Sequence, residues 1–321
     1  EVVFTSGGTE ADNLAVVGAV GASAARGGPA GGVCTAIEHH AVLHAVEGLG
    51  GHTVAVDDGG RLDLDDLAAH LTGDTALVSV MLANNEVGTI QDLAAVRAVV
   101  EERAPAAVLH TDAVQAAPWL DVAALARPAA LVSVAAHKFG GPQGVGALVV
   151  RRGTRLRPVV VGGGQERELR SGTHNVAGIV GMAAALAATV ADRAQEAARV
   201  GALRHRLLRT IRSRVPDVIE TAAGAHRLPN IAHIRIPGVE SEALLVLLDD
   251  AGVCASAGSS CASGAMEPSH VLAAMGIGRQ DSRSAIRLSL GRTTTAADVD
   301  RAAAALAENV VRLRSALTTG V

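Results

Sequence analysis

The sequence predicts an α/β protein built on a mostly parallel sheet that is covered by helices. In the first half of the chain, short β-rich runs alternate with Ala- and Leu-rich helical stretches, which is the pattern of such a sheet. Apolar residues make up 49% and charged residues 19% of the 321 residues, so a sizeable core is possible and a disordered chain is excluded. A chain of this length is expected to form about two domains.

Seven strands are predicted in the first half, with helices between them. Two of these helices have an aspartate at their start, the first over Leu62 to Leu71 with Asp63 as its cap and the second over Asp92 to Arg103. The predicted strands are Val2–Phe4, Val33–Ile37, Thr53–Val56, Ala76–Leu82, Ala107–His110, Ala130–Ala135 and Gly146–Val150.

The second half predicts a smaller unit. A Gly- and Arg-rich loop over Arg151 to Arg170 is followed by a long helix, Val176 to Arg214. We therefore expect a large domain over 1–190 and a smaller α+β domain over 191–321. The elements predicted for the smaller domain are strands Asn230–Ile236 and Ala285–Leu290 and helices Glu240–Ala251 and Thr295–Leu317.

Composition argues against several classes of protein. Two Phe, one Trp, no Tyr and a formal charge of −4 make nucleic-acid binding unexpected. Three Cys in a chain of this size do not form a disulfide framework. The longest apolar stretch, Val176 to Ala191, is rich in Ala and Gly and is interpreted as a buried helix, so no membrane span is expected. We expect a cytoplasmic protein, and since the first residue is Glu1 we expect the natural start to be missing.

The chain has a single lysine, Lys138, among 28 lysine and arginine residues. A position that keeps lysine in so arginine-rich a sequence is expected to need a primary amine that can lose its proton. Such an amine forms a Schiff base with an aldehyde, which a guanidinium does not. Composition alone also allows that chance spared one surface lysine.

Polar residues follow five of the predicted strands. Ligands gather beyond the carboxyl ends of strands in open α/β sheets, so we expect these residues at one edge. Asp112 follows an apolar strand and needs a cationic or N–H partner, and the turn Gly7-Gly8 can either cradle a phosphate or simply cap a helix. The five groups are Thr5 to Glu10, Glu38 with His39, Asn84 to Glu86, Asp112 with Gln115, and His137 with Lys138.

Two other kinds of site are not expected. His40 and His44 have the spacing of two metal ligands on a helix, but no third ligand is evident, so we predict no metal site. No Gly-x-Ser-x-Gly elbow follows a strand, which disfavours a hydrolase.

The second half adds a thiol and a cation. Cys261 lies among small, polar residues where a thiolate could reach a ligand, whereas Cys254 follows Gly-Val and is expected in the core. Arg287 lies inside a predicted strand and needs an anionic partner. That partner is either a substrate carboxylate held by both guanidinium branches or an internal salt bridge.

Taken together, these segments resemble the cysteine desulfurases, pyridoxal-phosphate enzymes of the class V aminotransferase fold, and most of all the NifS/IscS-type group. The resemblance extends in order from residue 1 to about residue 315, and the family has a further N-terminal segment. It implies the aspartate aminotransferase-like fold of pyridoxal-phosphate transferases. The segments that carry it are Thr5 to Asn13, Glu38-His39, Asn84 to Gly88, His110 to Gln115, His137 to Gly144, Arg170 to Thr173 and Ser256 to Cys261.

The resemblance also implies residue roles. Lys138 would hold the cofactor as a Schiff base and then act as the base, His39 would stack on the pyridine ring, and Asp112 would keep the ring nitrogen protonated. Gln115 and Asn85 would hydrogen-bond the ring oxygen and the bound amino acid. The phosphate would be held by Gly8, Thr9 and His137 and by Thr173 of a partner subunit, which implies a homodimer.

For function, the resemblance implies conversion of L-cysteine to L-alanine. Arg287 would bind the substrate carboxylate, and Cys261 would accept the sulfur as a persulfide. Because a free thiol is mostly protonated at neutral pH, a local lowering of its pKa or a proton acceptor such as His39 is expected. The sulfur would pass to an acceptor protein such as an iron–sulfur scaffold or a tRNA-thiolation enzyme. The alternatives are another class V aminotransferase or a β-eliminating lyase, a selenocysteine lyase, and an inactive truncated scaffold of a sulfur pathway.

One position departs from the family. The residue two before His137 is usually a serine that donates to the phosphate, and here it is Ala135. Losing one hydroxyl donor is expected to cost about 1 kcal/mol of binding free energy. We therefore expect weaker cofactor binding, but not its loss.

Overall fold

The computed structural model describes residues 1–257 and 269–319. The chain divides into two compact units. The first consists of Glu1–Val56, Arg61–Asn84 and Ile90–Arg193, and the second of Asp57–Gly60, Asn85–Thr89 and Ala194–Val321. Two short segments from the first half of the sequence thus belong to the second unit.

A seven-stranded sheet organises the first unit, in the order β1-β7-β6-β5-β4-β2-β3. Only β7 is antiparallel to its neighbours, β1 and β6, while the other pairs are parallel. The predicted α/β class with a mostly parallel sheet is confirmed. The strands are β1 Val2–Thr5, β2 Gly31–Thr35, β3 His52–Val54, β4 Thr75–Ser79, β5 Val108–Asp112, β6 Leu131–Ala135 and β7 Gly146–Val150.

Helices connect the strands, and aspartates begin several of them. Asp63 and Asp92 each accept two backbone N–H groups of the first helical turn, which have no partner inside a helix. The helices are α1 Gly8–Ala24, α2 His40–Gly48, α3 Leu64–His70, α4 Leu93–Arg103, α5 Val122–Leu125 and α6 Val176–Arg214, with 3-10 turns at Ala136–Phe139 and Gln165–Glu168. α6 begins in the first unit and ends in the second.

The core of the first unit is centred on α1. From Leu14 to Ala22 this helix consists of apolar residues and glycine, and a helical stretch that is apolar on all faces is buried. Leu14 and Val16 of α1 pack in one cluster with Leu131 and Leu148 of the sheet. At Gly18 a Cβ would lie 2.9 Å from the carbonyl oxygen of Arg157, so only glycine fits there. This packing fixes the start of α1 against the ends of β5 and β6.

The second unit has a three-stranded antiparallel sheet in the order β10-β9-β8. Helix α10 begins with a reciprocal cap, because Thr295 N–H donates to Asp298 and Asp298 N–H donates to the Thr295 hydroxyl. The elements are β8 Ile219–Glu220, β9 Ile231–Arg235, β10 Ala285–Ser289, α7 Ser241–Asp250, α8 His270–Ala274, α9 Arg279–Ser282 and α10 Ala296–Thr319.

Two sequence expectations about burial are wrong. Cys254 is exposed, not in the core, because it follows the turn Ala251-Gly252 that ends α7. The apolar start of α6 is not a buried helix in this chain, since Val176, Val180 and Val190 are each more than half exposed. By length and composition alone α6 could cross a membrane, and 17% of its most apolar window is buried. Its exposed apolar face therefore needs another surface to cover it.

Candidate active site

The first part of the candidate site is an open cavity of about 360 Å³ at the start of α1. At Gly8 a Cβ would lie 2.9 Å from Val114 Cγ2 and 3.5 Å from Ala135 Cβ, so this wall is packed closely behind the glycine. The first backbone N–H groups of a helix have no partner within it and attract anions. The cavity is lined by Ser6, Gly7, Gly8, Thr9, Glu10, His137, Gln143 and Gly144.

His137 and Lys138 reach this edge because β6 ends just before them. They lie in the 3-10 turn that follows β6, and both are exposed. Gly140, with φ of 81°, ends that turn in the left-handed conformation that glycine adopts without strain. Partial burial and the nearby charge of Lys138 lower the pKa of His137, so a neutral imidazole stands beside the cavity near pH 7.

Asp112 ends β5 and is buried. Its carboxylate accepts the backbone N–H of Val114 at 2.8 Å. Burial raises the pKa of Asp112 to about 6, against the effects of that hydrogen bond and of the charge on Lys138. A carboxylate that is buried in this way is stabilised by a cation placed against it.

Behind Asp112 lies a set of buried polar residues, centred on His110, to which the sequence analysis assigned no role. His110 is bonded at one ring nitrogen to Ser79 (2.8 Å) and at the other to Ser133 (3.0 Å). Burial lowers the pKa of His110 to about 3, so the ring is neutral. Asp12 of α1 lies 3.7 Å from that ring, and its pKa is raised well above the usual range by burial and by the charge of Asp112.

Glu38 extends this buried acidic group. It accepts hydrogen bonds from the Thr35 hydroxyl at 2.9 Å and from Met81 N–H at 2.7 Å. Burial raises the pKa of Glu38 to about 8 in spite of those bonds. Asp12, Glu38 and Asp112 therefore share one low-dielectric region, in which ionising any one of them disfavours ionising the others.

Replacing Glu38 with glutamine is expected to flatten the pH dependence of stability. Its pKa is raised from an ordinary value of 4.5 to about 8. Between these two pH values the folded state therefore keeps a proton on Glu38 that the unfolded chain has released. The free energy of unfolding thus falls as pH rises through that window, by up to about 1.4 kcal/mol per pH unit. Urea unfolding of the cofactor-free protein at pH 5.5 and 8.5 measures the effect, with exposed Glu102→Gln as the control. Parallel pH profiles for wild type and Glu38→Gln would contradict it.

His39 and Asn84 are held by backbone groups. His39 begins α2, where its Nδ1 accepts Ala41 N–H at 3.2 Å, so a neutral ring carries its proton on Nε2. Asn84 donates to the carbonyl of Ile37 at 3.0 Å. Gln115 is half-buried in the turn after β5.

Arg170 and Glu10 form an ion pair at the cavity beside the start of α1. Arg170 contacts Glu10 through Nε at 2.7 Å and Nη2 at 3.2 Å, and Glu10 also accepts Ser6 N–H at 2.8 Å. Sequence analysis assigned no role to either residue, although both lie within the segments that carried the resemblance. Thr173, three residues after Arg170, is exposed and does not line the cavity of its own chain.

The second unit contains the other predicted residues. Arg287 lies in β10, and its Nη1 donates to the backbone carbonyl of Asn85 at 2.9 Å. Its own backbone exchanges two hydrogen bonds with Ser256, at 2.7 and 3.1 Å. Nearby, the Ser269 hydroxyl donates to buried Glu86 at 2.5 Å. Ser256 and Ser269 thus anchor the chain before and after the segment with Cys261, which itself lies outside the described residues.

Residues 1–302 match the family described as Aminotransferase class-V, and the chain belongs to this family. It is 42% identical over 320 residues to a "Cysteine desulfurase" of Nostoc sp., with 98% of this chain and 79% of that protein covered. It is 44% identical over 326 residues to an "IscS-like cysteine desulfurase" of Mycobacterium tuberculosis, with 98% and 82% covered. Within the family the chain is thus one of the cysteine desulfurases, which are enzymes dependent on pyridoxal phosphate.

Solved structures agree with this placement. A "NIFS-LIKE PROTEIN" superposes with a TM-score of 0.88 at 34% identity, covering 97% of this chain and 83% of the other. DndA from Streptomyces lividans superposes with a TM-score of 0.77, also at 34% identity, covering 90% of this chain and 82% of the other. The resemblance read from the sequence and the pyridoxal-phosphate transferase fold that it implied are confirmed.

Proposed function

We propose that this chain takes sulfur from L-cysteine onto its own Cys261 and releases L-alanine, using pyridoxal 5'-phosphate bound at Lys138. One observation carries the proposal: the only lysine stands next to a cavity suited to a phosphate and within electrostatic reach of buried Asp112. The cited relatives favour this activity over a transaminase, a selenocysteine lyase or an inactive scaffold, because both are named cysteine desulfurases.

The residues present fit the cofactor. The amides of Gly8 and Thr9 and the imidazole of His137 line the cavity proposed for the phosphate. Asp112 supplies the buried negative charge that a protonated ring nitrogen requires. We assign His39 to the face of the ring and Gln115 to its oxygen. When bound, pyridoxal phosphate supplies an electron sink that stabilises negative charge at the substrate Cα.

Ala135 removes one donor from this site, so weaker phosphate binding remains the expectation. Its side chain is fully buried and packs behind Gly8, where it offers no hydrogen-bond donor. The amides at the start of α1 and His137 remain as donors beside the cavity. We therefore assign phosphate binding to these groups and to Thr173 of a partner subunit.

Four residues are assigned to the substrate. Arg287 binds its carboxylate, with one branch of the guanidinium already fixed by the carbonyl of Asn85. The Asn85 side chain hydrogen-bonds the bound amino acid. Lys138, as a free amine, takes the Cα proton. The thiolate of Cys261 attacks the substrate sulfur, so that an S–S bond forms as the C–S bond breaks. The three-carbon remainder keeps the electron pair of the C–S bond, takes up the proton held by Lys138 and a second proton from solvent, and leaves as alanine.

We also propose a homodimer. From residue 176 to 191 the chain carries no charged residue, and the start of α6 exposes a continuous apolar face. A second copy of this chain would cover that face and bring its Thr173 to the phosphate cavity. The exposed members of the face are Val176, Ala177, Val180, Ala183, Ala184, Leu186, Ala187, Ala188, Val190 and Ala191.

The proposal extends to cell biology in two respects. We place the enzyme in the cytoplasm. We propose that the persulfide sulfur passes to an acceptor protein of iron–sulfur assembly or tRNA thiolation, with no direct contact to nucleic acid, in keeping with the formal net charge of −4.

The test is to supply L-cysteine, pyridoxal phosphate and a reducing thiol and to quantify sulfide and alanine together. We expect the two products in equal amounts, because each sulfur released leaves one alanine. Formation of sulfide together with pyruvate would instead indicate β-elimination. The absence of both sulfide and alanine would indicate an inactive chain. Either result would overturn the proposed function.

A further inference from the structure

A carboxylate lines the cavity proposed for the phosphate. Glu10 lies in the first turn of α1, next to Thr9, and is among the residues that line this cavity. Partial burial acts to raise the pKa of Glu10, but hydrogen bonds from Arg170 and Ser6 and the charge of Arg170 outweigh it and leave the pKa lowered. The side chain is therefore ionised at neutral pH.

An ionised carboxylate at this position opposes binding of a phosphate. Like charges a few ångströms apart repel strongly where water is partly excluded. Yet Glu10 also has a structural use, because its Oε2 accepts Ser6 N–H at 2.8 Å and so fixes the turn that leads into Gly7 and Gly8. The cavity therefore needs the hydrogen bonds of Glu10 but not its charge.

Arg170 resolves this conflict. Its guanidinium forms a two-point contact with Glu10, Nε to Oε1 at 2.7 Å and Nη2 to Oε2 at 3.2 Å, across 160 residues of sequence. Both side chains are largely shielded from water, with 23% exposure for Arg170 and 17% for Glu10. A planar guanidinium held in this way neutralises the carboxylate and also fixes its orientation.

We propose that Arg170 is a positioning residue that makes the α1 cavity selective for a phosphate monoester, by neutralising Glu10 and holding it against the Ser6 amide. This inference rests on the proposed function, since pyridoxal phosphate is the phosphate monoester concerned. It assigns Arg170 a role through Glu10, without contact to the cofactor itself.

The test compares pyridoxal 5'-phosphate with pyridoxal, which has the same aldehyde and ring but no phosphate. Apparent Kd values are measured from the absorbance of the bound cofactor in wild type, Arg170→Ala, Arg170→Lys, Glu10→Gln and the double variant Glu10→Gln/Arg170→Ala. Arg167→Ala is the matched control, because Arg167 lies in the same segment and pairs with Glu1 at the surface instead.

We expect Arg170→Ala to weaken pyridoxal phosphate binding by at least tenfold and to change pyridoxal binding by less than twofold. Arg170→Lys keeps the charge and should lose less affinity than Arg170→Ala. The double variant should recover most of the lost affinity, because the glutamine amide still accepts Ser6 N–H but carries no charge. Glu10→Gln alone and Arg167→Ala should bind pyridoxal phosphate at least as tightly as wild type.

Three results would overturn the inference: unchanged pyridoxal phosphate affinity in Arg170→Ala, an equal loss for both ligands, or no recovery in the double variant. If Arg170→Ala fails to fold, Glu10→Gln still tests the inference. Weaker binding of pyridoxal phosphate in Glu10→Gln would contradict the proposal that Arg170 acts by neutralising the charge of Glu10. A wild-type protein that binds neither ligand would overturn the proposed function together with the inference, and the two failures are thus distinguishable.

Discussion

Arginine in place of Lys138 is expected to abolish covalent cofactor binding and to lower the desulfurase rate by at least about 1,000-fold, within the range attributed to a missing acid–base group. Arginine keeps the positive charge near Asp112 but offers no amine that can join an aldehyde. The charge environment that surrounds Asp112 is thereby preserved. Absorbance of the purified protein with pyridoxal phosphate, measured beside the rate of sulfide release, checks both effects.

Borohydride reduction followed by peptide mapping provides the control. In wild type the pyridoxyl group should be found on the peptide that contains Lys138, the single lysine of the sequence. A label on any other peptide, or a Lys138→Arg variant that keeps a tenth of the wild-type rate, would contradict the assignment.

Alanine in place of Cys261 is expected to abolish sulfide release while leaving the cofactor absorbance unchanged. In the proposed function this thiol takes part only in sulfur transfer, so binding of the cofactor and of L-cysteine should persist. Sulfide and alanine assays, together with the cofactor spectrum before and after adding L-cysteine, measure the separation of these steps.

Cys254→Ala is the matched control for this experiment. Cys254 is an exposed thiol seven residues earlier in the chain. We expect this variant to release sulfide at the wild-type rate. With radioactive sulfur in the substrate and no reductant present, the label should appear on the peptide that contains Cys261. An undiminished rate of sulfide release in Cys261→Ala would contradict the assignment of Cys261 as the residue that carries the persulfide.

Much of the first unit could be predicted from sequence, because parallel strands buried on both faces read as continuous apolar runs. Strand limits were less certain. Asp112 was expected just beyond β5 but is its last residue, since a backbone ladder continues through a polar side chain as readily as through an apolar one. Short elements such as β8, with two residues, have no periodicity to detect.

The acidic group behind Asp112 could not be predicted in the same way. Asp12 is followed by Asn13 and His110 by Thr111, and sequence reading alone does not distinguish such polar stretches from surface positions, although both residues are buried. Only the packing of α1 against the sheet brings them together. The exposure of α6 was missed for a related reason, because an apolar helix face indicates burial but not which surface provides it.

The backbone of Arg287 forms an isolated β-bridge with Ser256, while its side chain is assigned to the substrate carboxylate. In the proposed function, one position therefore links recognition of the amino acid to the start of the sequence segment that contains Cys261. Steady-state parameters of variants at this position should for that reason not separate cleanly, and a change in KM should be accompanied by a change in kcat.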